Sequence, residues 1–135
     1  MYKHILVPVA FGEEHDNQSA FNVARRMASE GAKFTVMHVV EPIPAFAIAQ
    51  IPESVFENSR NEMKKSLKKS AAQLPGATPR LVVGHPGREI VEFASKNGVD
   101  CIVLASHRPN LSNYFLGSTA DRVVRHAECS VHVIR

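Results

Sequence analysis

The chain has 135 residues, 44% of them hydrophobic and 21% charged, the make-up of one globular domain that buries about two-thirds of its unfolded surface without disulfide or metal staples. That excludes a disordered chain. No apolar run reaches the ~18 residues of a membrane span, because Pro44 and Gln50 interrupt the greasiest stretch, Ile43 to Ile51. The formal net charge of +3 is not gathered into a patch. Lys64, Lys65, Lys68 and Lys69 recur at helical spacing behind Glu53, Glu57 and Glu62, the pattern of a solvated helix face rather than a stripe that tracks phosphates. Neither nucleic acid nor membrane is expected as a partner. The opening Met1 to Pro8 lacks a long apolar region and a small-residue cleavage site. Cys101 and Cys129 make no disulfide framework, so the expected compartment is the reducing cytoplasm.

Strand and helix patterns alternate along one domain spanning 1–135. Residues 3–9 read as a buried strand through Ile5, Leu6, Val7 and Val9, followed by a loop with Gly12. Asp16 is placed to cap a helix over about 17–30, with Ala20, Val23, Ala24 and Met27 on one stripe and Gly31 as its stop. Residues 33–40 are β-rich again, and a loop carrying Pro42, Pro44 and Pro52 follows. The next helix spans about 53–74, carrying Val55, Phe56, Met63, Leu67 and Ala71, and is ended by Pro75-Gly76.

A third strand covers about 79–84. After His85-Pro86-Gly87 comes a helix near 87–97, with Ile90, Val91, Phe93 and Ala94 inward and Asn97-Gly98 at its end. The fourth strand is Asp100 to Ala105, a loop runs from Ser106 to Leu116, a helix from Ser118 to Ala127, and a last strand from Ser130 to Ile134. The order βαβαβαβαβ with short continuous apolar strands predicts an α/β fold, a five-stranded parallel sheet covered by helices on both faces. In such sheets a ligand sits beyond the carboxyl ends of the strands, where the strand order reverses. The loops after residues 9, 40, 84 and 105 are therefore the ones to search.

The richest of them runs from Ala105-Ser106-His107-Arg108-Pro109-Asn110 to Gly117-Ser118-Thr119, where a helix opens. The unpaired N–H groups and positive dipole end of that helix suit an anion such as phosphate. Gly117 permits close backbone approach, the hydroxyls of Ser118 and Thr119 can donate, and His107 and Arg108 lie on the same loop. The plain structural alternative is an N-cap at Ser118 or Thr119 beside a turn glycine.

The whole chain resembles the universal stress protein family, on the opening Ile5-Leu6-Val7-Pro8-Val9, the second-strand ending His38-Val39-Val40-Glu41, the turn Gly84-His85-Pro86, the loop closing on Gly117-Ser118 and the finish Val123 to Ile134. The Ala-Ser-His-Arg-Pro loop and the Arg-His-Ala-Glu-Cys-Ser-Val tail are similar to its bacterial F/G-type branch, many members of which bind ATP. The resemblance implies a Rossmann-like sheet of order 3-2-1-4-5, and ATP or AMP as the bound nucleotide. It places Pro8 and Val9 at the edge of an adenine pocket, Val39 where backbone reads the adenine edge, and Gly84 on the lining. Ala105 and Ser106 begin a phosphate loop, His107 and Arg108 continue it, and Gly117, Ser118 and Thr119 close it. It also implies a homodimer through the C-terminal strand Val131 to Ile134, whose apolar edge no later helix covers.

Three positions depart from the family pattern. Ala10 stands where an aspartate usually serves the ribose or a metal, which puts Mg in question. Ala105 replaces the first loop glycine, and the second is lost in a loop one residue shorter. Losing a hydrogen bond to a charged group costs about 1.5–3 kcal/mol, or roughly 10- to 150-fold in affinity, so weaker or less metal-dependent nucleotide binding is expected. The seven histidines show neither the i, i+4 helical pairing nor the Cys-x2-Cys spacing of a zinc site, and no metal site is expected. His107, and secondarily His85, are the histidines expected near the ligand. No Gly-x-Ser-x-Gly elbow or acid/base pair is present, so no catalytic residue is assigned. The expected role is a dimeric, nucleotide-binding regulatory module of the stress response; the alternatives are a nucleotide-free dimeric scaffold and a slow ATPase.

Overall fold

In the computed structural model, residues 1–11, 17–105 and 116–135 are described. The strands are β1 (Tyr2–Pro8), β2 (Ala28–Val40), β3 (Thr78–Val83), β4 (Cys101–Ala105) and β5 (Ser130–Ile134). The helices are α1 (Asn17–Met27), α2 (Ala45–Ile48), α3 (Glu53–Ala72), α4 (Pro86–Lys96) and α5 (Ser118–His126). All four strand pairings are parallel, and the sheet order is β3-β2-β1-β4-β5. The chain builds outward from β1 to β3, then returns to β1's free side for β4 and β5. The reversal falls between β1 and β4.

Alternation along the strands divides the core into two layers. Ile5 and Val7 of β1, Val36 of β2 and Cys101 and Val103 of β4 pack with Ala20, Phe21 and Ala24 of α1 and Leu67 and Ala71 of α3. Leu6, Met37, Ile102 and Leu104 face the other way, onto Ile90 and Ala94 of α4 and Ala120 and Val123 of α5. Burying each such Leu, Ile or Val contributes about 1.5–3 kcal/mol relative to leaving it exposed. A sheet loaded on both faces explains why its strands read as continuous apolar runs.

Several local expectations need correction. Helix α1 ends at Met27 rather than near residue 30, and Ala28 already pairs with Tyr2 before the register shifts to His4↔Lys33. Gly31, with φ of 78°, turns the chain inside that shift instead of stopping the helix. The proline loop holds the short helix α2. Val55, one of the apolar residues that α3 carries, is 51% exposed; twelve residues at 3.6 per turn place it about 120° around the helix from the buried Leu67. Asp16, the expected cap of α1, lies outside the described residues.

Candidate functional site

The carboxyl end of β1 is tied down on both sides. Val9 N–H donates to the Met37 carbonyl at 2.8 Å, extending the sheet past Pro8. Its carbonyl accepts from His38 Nδ1 at 2.9 Å; because a carbonyl only accepts, Nδ1 carries the proton and Nε2 keeps the lone pair. Phe11 lies against the His38 ring, centroids 4.3 Å apart and planes tilted by 43°. Asn17 Nδ2, in the first turn of α1, donates to the Ala10 carbonyl at 2.8 Å. Both backbone groups of Val9 are thus engaged within the protein and its side chain is buried in the core, so the half-buried Pro8 and Ala10 form the accessible edge.

Next to it, Val39 is half-buried against the α4/α5 layer, and Gly84 N–H donates to the Val40 carbonyl at 2.9 Å, fastening the end of β3 to β2. A Cβ at Gly84 would fall 2.5 Å from Glu89 Oε1, so a side chain here would have to displace Glu89. His85 serves as N-cap of α4, its Nδ1 accepting weakly from Arg88 N–H at 3.5 Å, and is occupied with its own helix. Beyond the reversal, Ala105 closes β4 opposite Ile134. Gly117 is the N-cap of α5, extended at φ −60° and ψ 154°, with no side-chain capping bond. The alternative of a Ser118 or Thr119 cap therefore does not hold: both are inside the helix, and the first-turn N–H groups have no intrahelical acceptor. Ser118 is exposed and Thr119 half-buried.

The structure thus sets Pro8, Val9 and Ala10, Val39, Gly84, Ala105, and Gly117-Ser118-Thr119 at one end of the sheet, on both sides of the β1/β4 reversal. Ser106, His107 and Arg108 lie outside the described residues. Sequence reasoning missed Phe11, His38 and Asn17 as the fastening of this rim. A lone aromatic just past β1 was the available signal for Phe11; the His38 contact depends on strand register and has none. Among the described residues, no three His, Cys, Asp or Glu side chains gather as a metal site, and no helix is long and apolar enough to cross a membrane.

The other polar cluster is at the amino end of the sheet. His4, buried, places Nε2 2.9 Å from Thr35 Oγ1 and Nδ1 3.1 Å from the Asn97 carbonyl. Nδ1–H donates to that carbonyl, so the Thr35 hydroxyl donates to the neutral Nε2. Desolvation outweighs the favourable Asn97 carbonyl and Asp100 carboxylate and, with Lys33, holds the His4 pKa below its ordinary 6.5. Burial opposes ionisation of Asp100, but N–H groups of Lys3, His4 and Asp100 itself outweigh it and keep the carboxyl below the usual range. Burial, then the neighbouring Cys129 and Asp100, pushes the Cys101 thiol up to about 11. Cys101 is fully buried as expected, whereas Cys129 is only partly so. A recess of about 240 Å³ lined by Ala94, Ser95, Gly98, Val99, Glu128 and Cys129 also opens at this end, with no cationic side chain for an anion. The carboxyl-end rim is the better candidate because the topology, not depth alone, selects it.

Residues 1–135 match the universal stress protein family, and the chain belongs to it. It is 27% identical to universal stress protein G of Shigella flexneri, over 100% of both chains. It is 29% identical to a universal stress protein of Thermus aquaticus, again over 100% of both. Among solved structures, universal stress protein UspA from Lactobacillus plantarum superposes with a TM-score of 0.70 at 28% identity, covering 99% of this chain and 98% of that one. The F/G-type resemblance is compatible with these relatives.

Proposed function

We propose that the protein binds an adenine nucleotide, AMP or ATP, across the carboxyl ends of β1 and β4, and acts as a homodimeric regulatory module of the cytoplasmic stress response. The observation that carries this reading is the convergence of Val9-Ala10, Val39, Gly84, Ala105 and the α5 amino terminus on one rim at the strand-order reversal. Relatives of the same fold support it. A universal stress protein from Archaeoglobus fulgidus, 22% identical with a TM-score of 0.67, was solved in complex with dAMP. A family protein from Arabidopsis thaliana, 19% identical with a TM-score of 0.61, was solved with AMP bound.

In this reading the base lies at the edge formed by Pro8 and Val9 and is read by Val39 backbone, with Gly84 beside it. The phosphates lie between Ser106-His107-Arg108 and the first turn of α5, where Gly117, Ser118 and Thr119 bring N–H and hydroxyl donors to negative charge. Ala10 offers no carboxylate, so a divalent ion would be held chiefly by the phosphates and water. No acid/base pair is assigned, which favours a binder over an ATPase. A nucleotide-free scaffold is the second reading, favoured by Ala10 and Ala105 and by the internal engagement of the Val9 and Ala10 carbonyls.

The test is mass-spectrometric identification of small molecules released from the acid-denatured protein, with calorimetric titration of AMP and ATP, with and without magnesium. Near-stoichiometric nucleotide, or binding heat abolished by Gly117→Asp, is the expected result. That substitution sets a carboxylate where phosphate is placed. Unchanged affinity in Gly117→Asp removes the phosphate site, and no binding by the native chain leaves the scaffold.

A further inference from the structure

Helix α2 is built unlike the rest of the molecule. It lies in an eleven-residue stretch, Pro42 to Pro52, that contains no charged side chain. None of the four residues of α2 is buried, and Phe46 is 78% exposed, with Ile43 and Ile48 also exposed. Among the described residues, the backbone hydrogen bonds of 43–51 stay within the segment: Ala47 and Ile48 N–H to the Pro44 carbonyl, Gln50 to Ala47, Ile51 to Ile48. A self-contained apolar turn that contributes nothing to the core is not explained by folding. Its place in the chain suggests a use, because it springs directly from the carboxyl end of β2, on the rim that holds the candidate site.

The direction of a bound nucleotide follows from the sheet. A phosphate at the first turn of α5 sits beyond β4. Strands are about 4.8 Å apart, and β2 is two places from β4 with β1 between them, so β2's end is about 10 Å away, comparable with the length of an extended mononucleotide. The base therefore ends up over β1 and β2, where Val39 lies and α2 begins.

We propose that α2 is a lid whose Phe46 closes over the base of the bound nucleotide. This inference rests on the nucleotide reading. Closure would remove the exposed phenyl ring from water and stack it on the base, while the lack of charge between Pro42 and Pro52 spares any cost of desolvating an ion.

The experiment uses the full chain and two ligands, AMP and ribose 5-phosphate, which carries the sugar and phosphate but no base. Phe46→Ala, at an exposed position, is expected to leave the fold intact and to weaken AMP about 5- to 150-fold, the range for losing an aromatic stack on one base, while ribose 5-phosphate is bound as before. The chain has no tryptophan, so Phe46→Trp introduces a single indole whose emission is expected to change with AMP and not with ribose 5-phosphate. If the native protein binds AMP but Phe46→Ala binds it equally well and the indole emission stays constant, the lid is wrong and the nucleotide site stands. If the native protein binds no AMP, both fall. If Phe46→Ala leaves AMP affinity alone but separates associated copies in sedimentation, the patch is an interface and the lid is overturned.

Discussion

His38 and His4 lie on different faces and at different ends of the sheet, and they do opposite work. His38 holds the Val9 carbonyl and shapes the rim from below, while Ala10 beside it leaves that rim without a carboxylate. Ala10→Asp is expected to tighten Mg-ATP by roughly 10- to 150-fold, the scale of one charge-assisted hydrogen bond, measured by calorimetry with magnesium present; unchanged affinity would mean that the ribose is held elsewhere. His4 is neutral and wedged between Thr35 and the end of α4, with the Phe93 ring nearly perpendicular at 6.5 Å and the Arg80 guanidinium 5.4 Å from the centre of that ring. Its lowered pKa means that, just below pH 6.5, the unfolded chain binds a proton that the native state refuses. Stability from this residue is whole above 6.5 and is lost as pH falls from there through the folded value. Urea midpoints on either side of pH 6.5 should show the decline, and His4→Gln should flatten it. An equal decline in that variant would place the sensitivity in other groups.

Helix α4 and helix α5 meet at a glycine. A Cβ at Gly87 would lie 2.6 Å from Arg122 Cδ and 2.9 Å from its Cβ, and the latter cannot swing away as a side-chain tip can. Gly87→Val should therefore force the helices apart at a cost of about 1–3 kcal/mol, read as a lower Tm; an unchanged Tm would show that the pair has slack. The sequence announced most elements because a sheet covered on both faces needs apolar runs, and Pro75-Gly76 and Asn97-Gly98 punctuate them. Four-residue α2 escaped since it has less than two turns of periodicity and sits among prolines. The early start of β2 escaped because Ala28-Ser29-Glu30 has no strand composition and is held by long-range contacts, Ala28 pairing with Tyr2 and Ser29 Oγ accepting from the Met1 ammonium. For the candidate site, Gly117-Ser118-Thr119 is legible as backbone chemistry at a helix end, whereas Gly84 is marked only by the family resemblance. The Phe11–His38–Val9 clasp is not legible, being a product of which strands become neighbours.

At the scale of the molecule, β5 is an edge strand of the sheet, and the proposed dimer would join it to its symmetry mate. His132, exposed and central in β5, then lies near the twofold axis. His132→Glu should bring like charges together and yield monomers in sedimentation, while His132→Val should not; a dimer that survives the glutamate uses another surface. The other end of the sheet carries a further consequence. Lys3 and His4 are bound by Asp100, some 97 positions along the chain, and β1 pairs with β4 on that side. At about 5–20 residues per second of synthesis, the central strand waits roughly 5–20 s after emerging before that partner is made. The segment is thus synthesised well before one of its two neighbours, and although β2 can cover one side early, Ile5, Leu6 and Val7 spend that interval with the β4 side of the strand open. An edge left open during synthesis invites pairing with another chain, a hazard separate from the strength of the finished core.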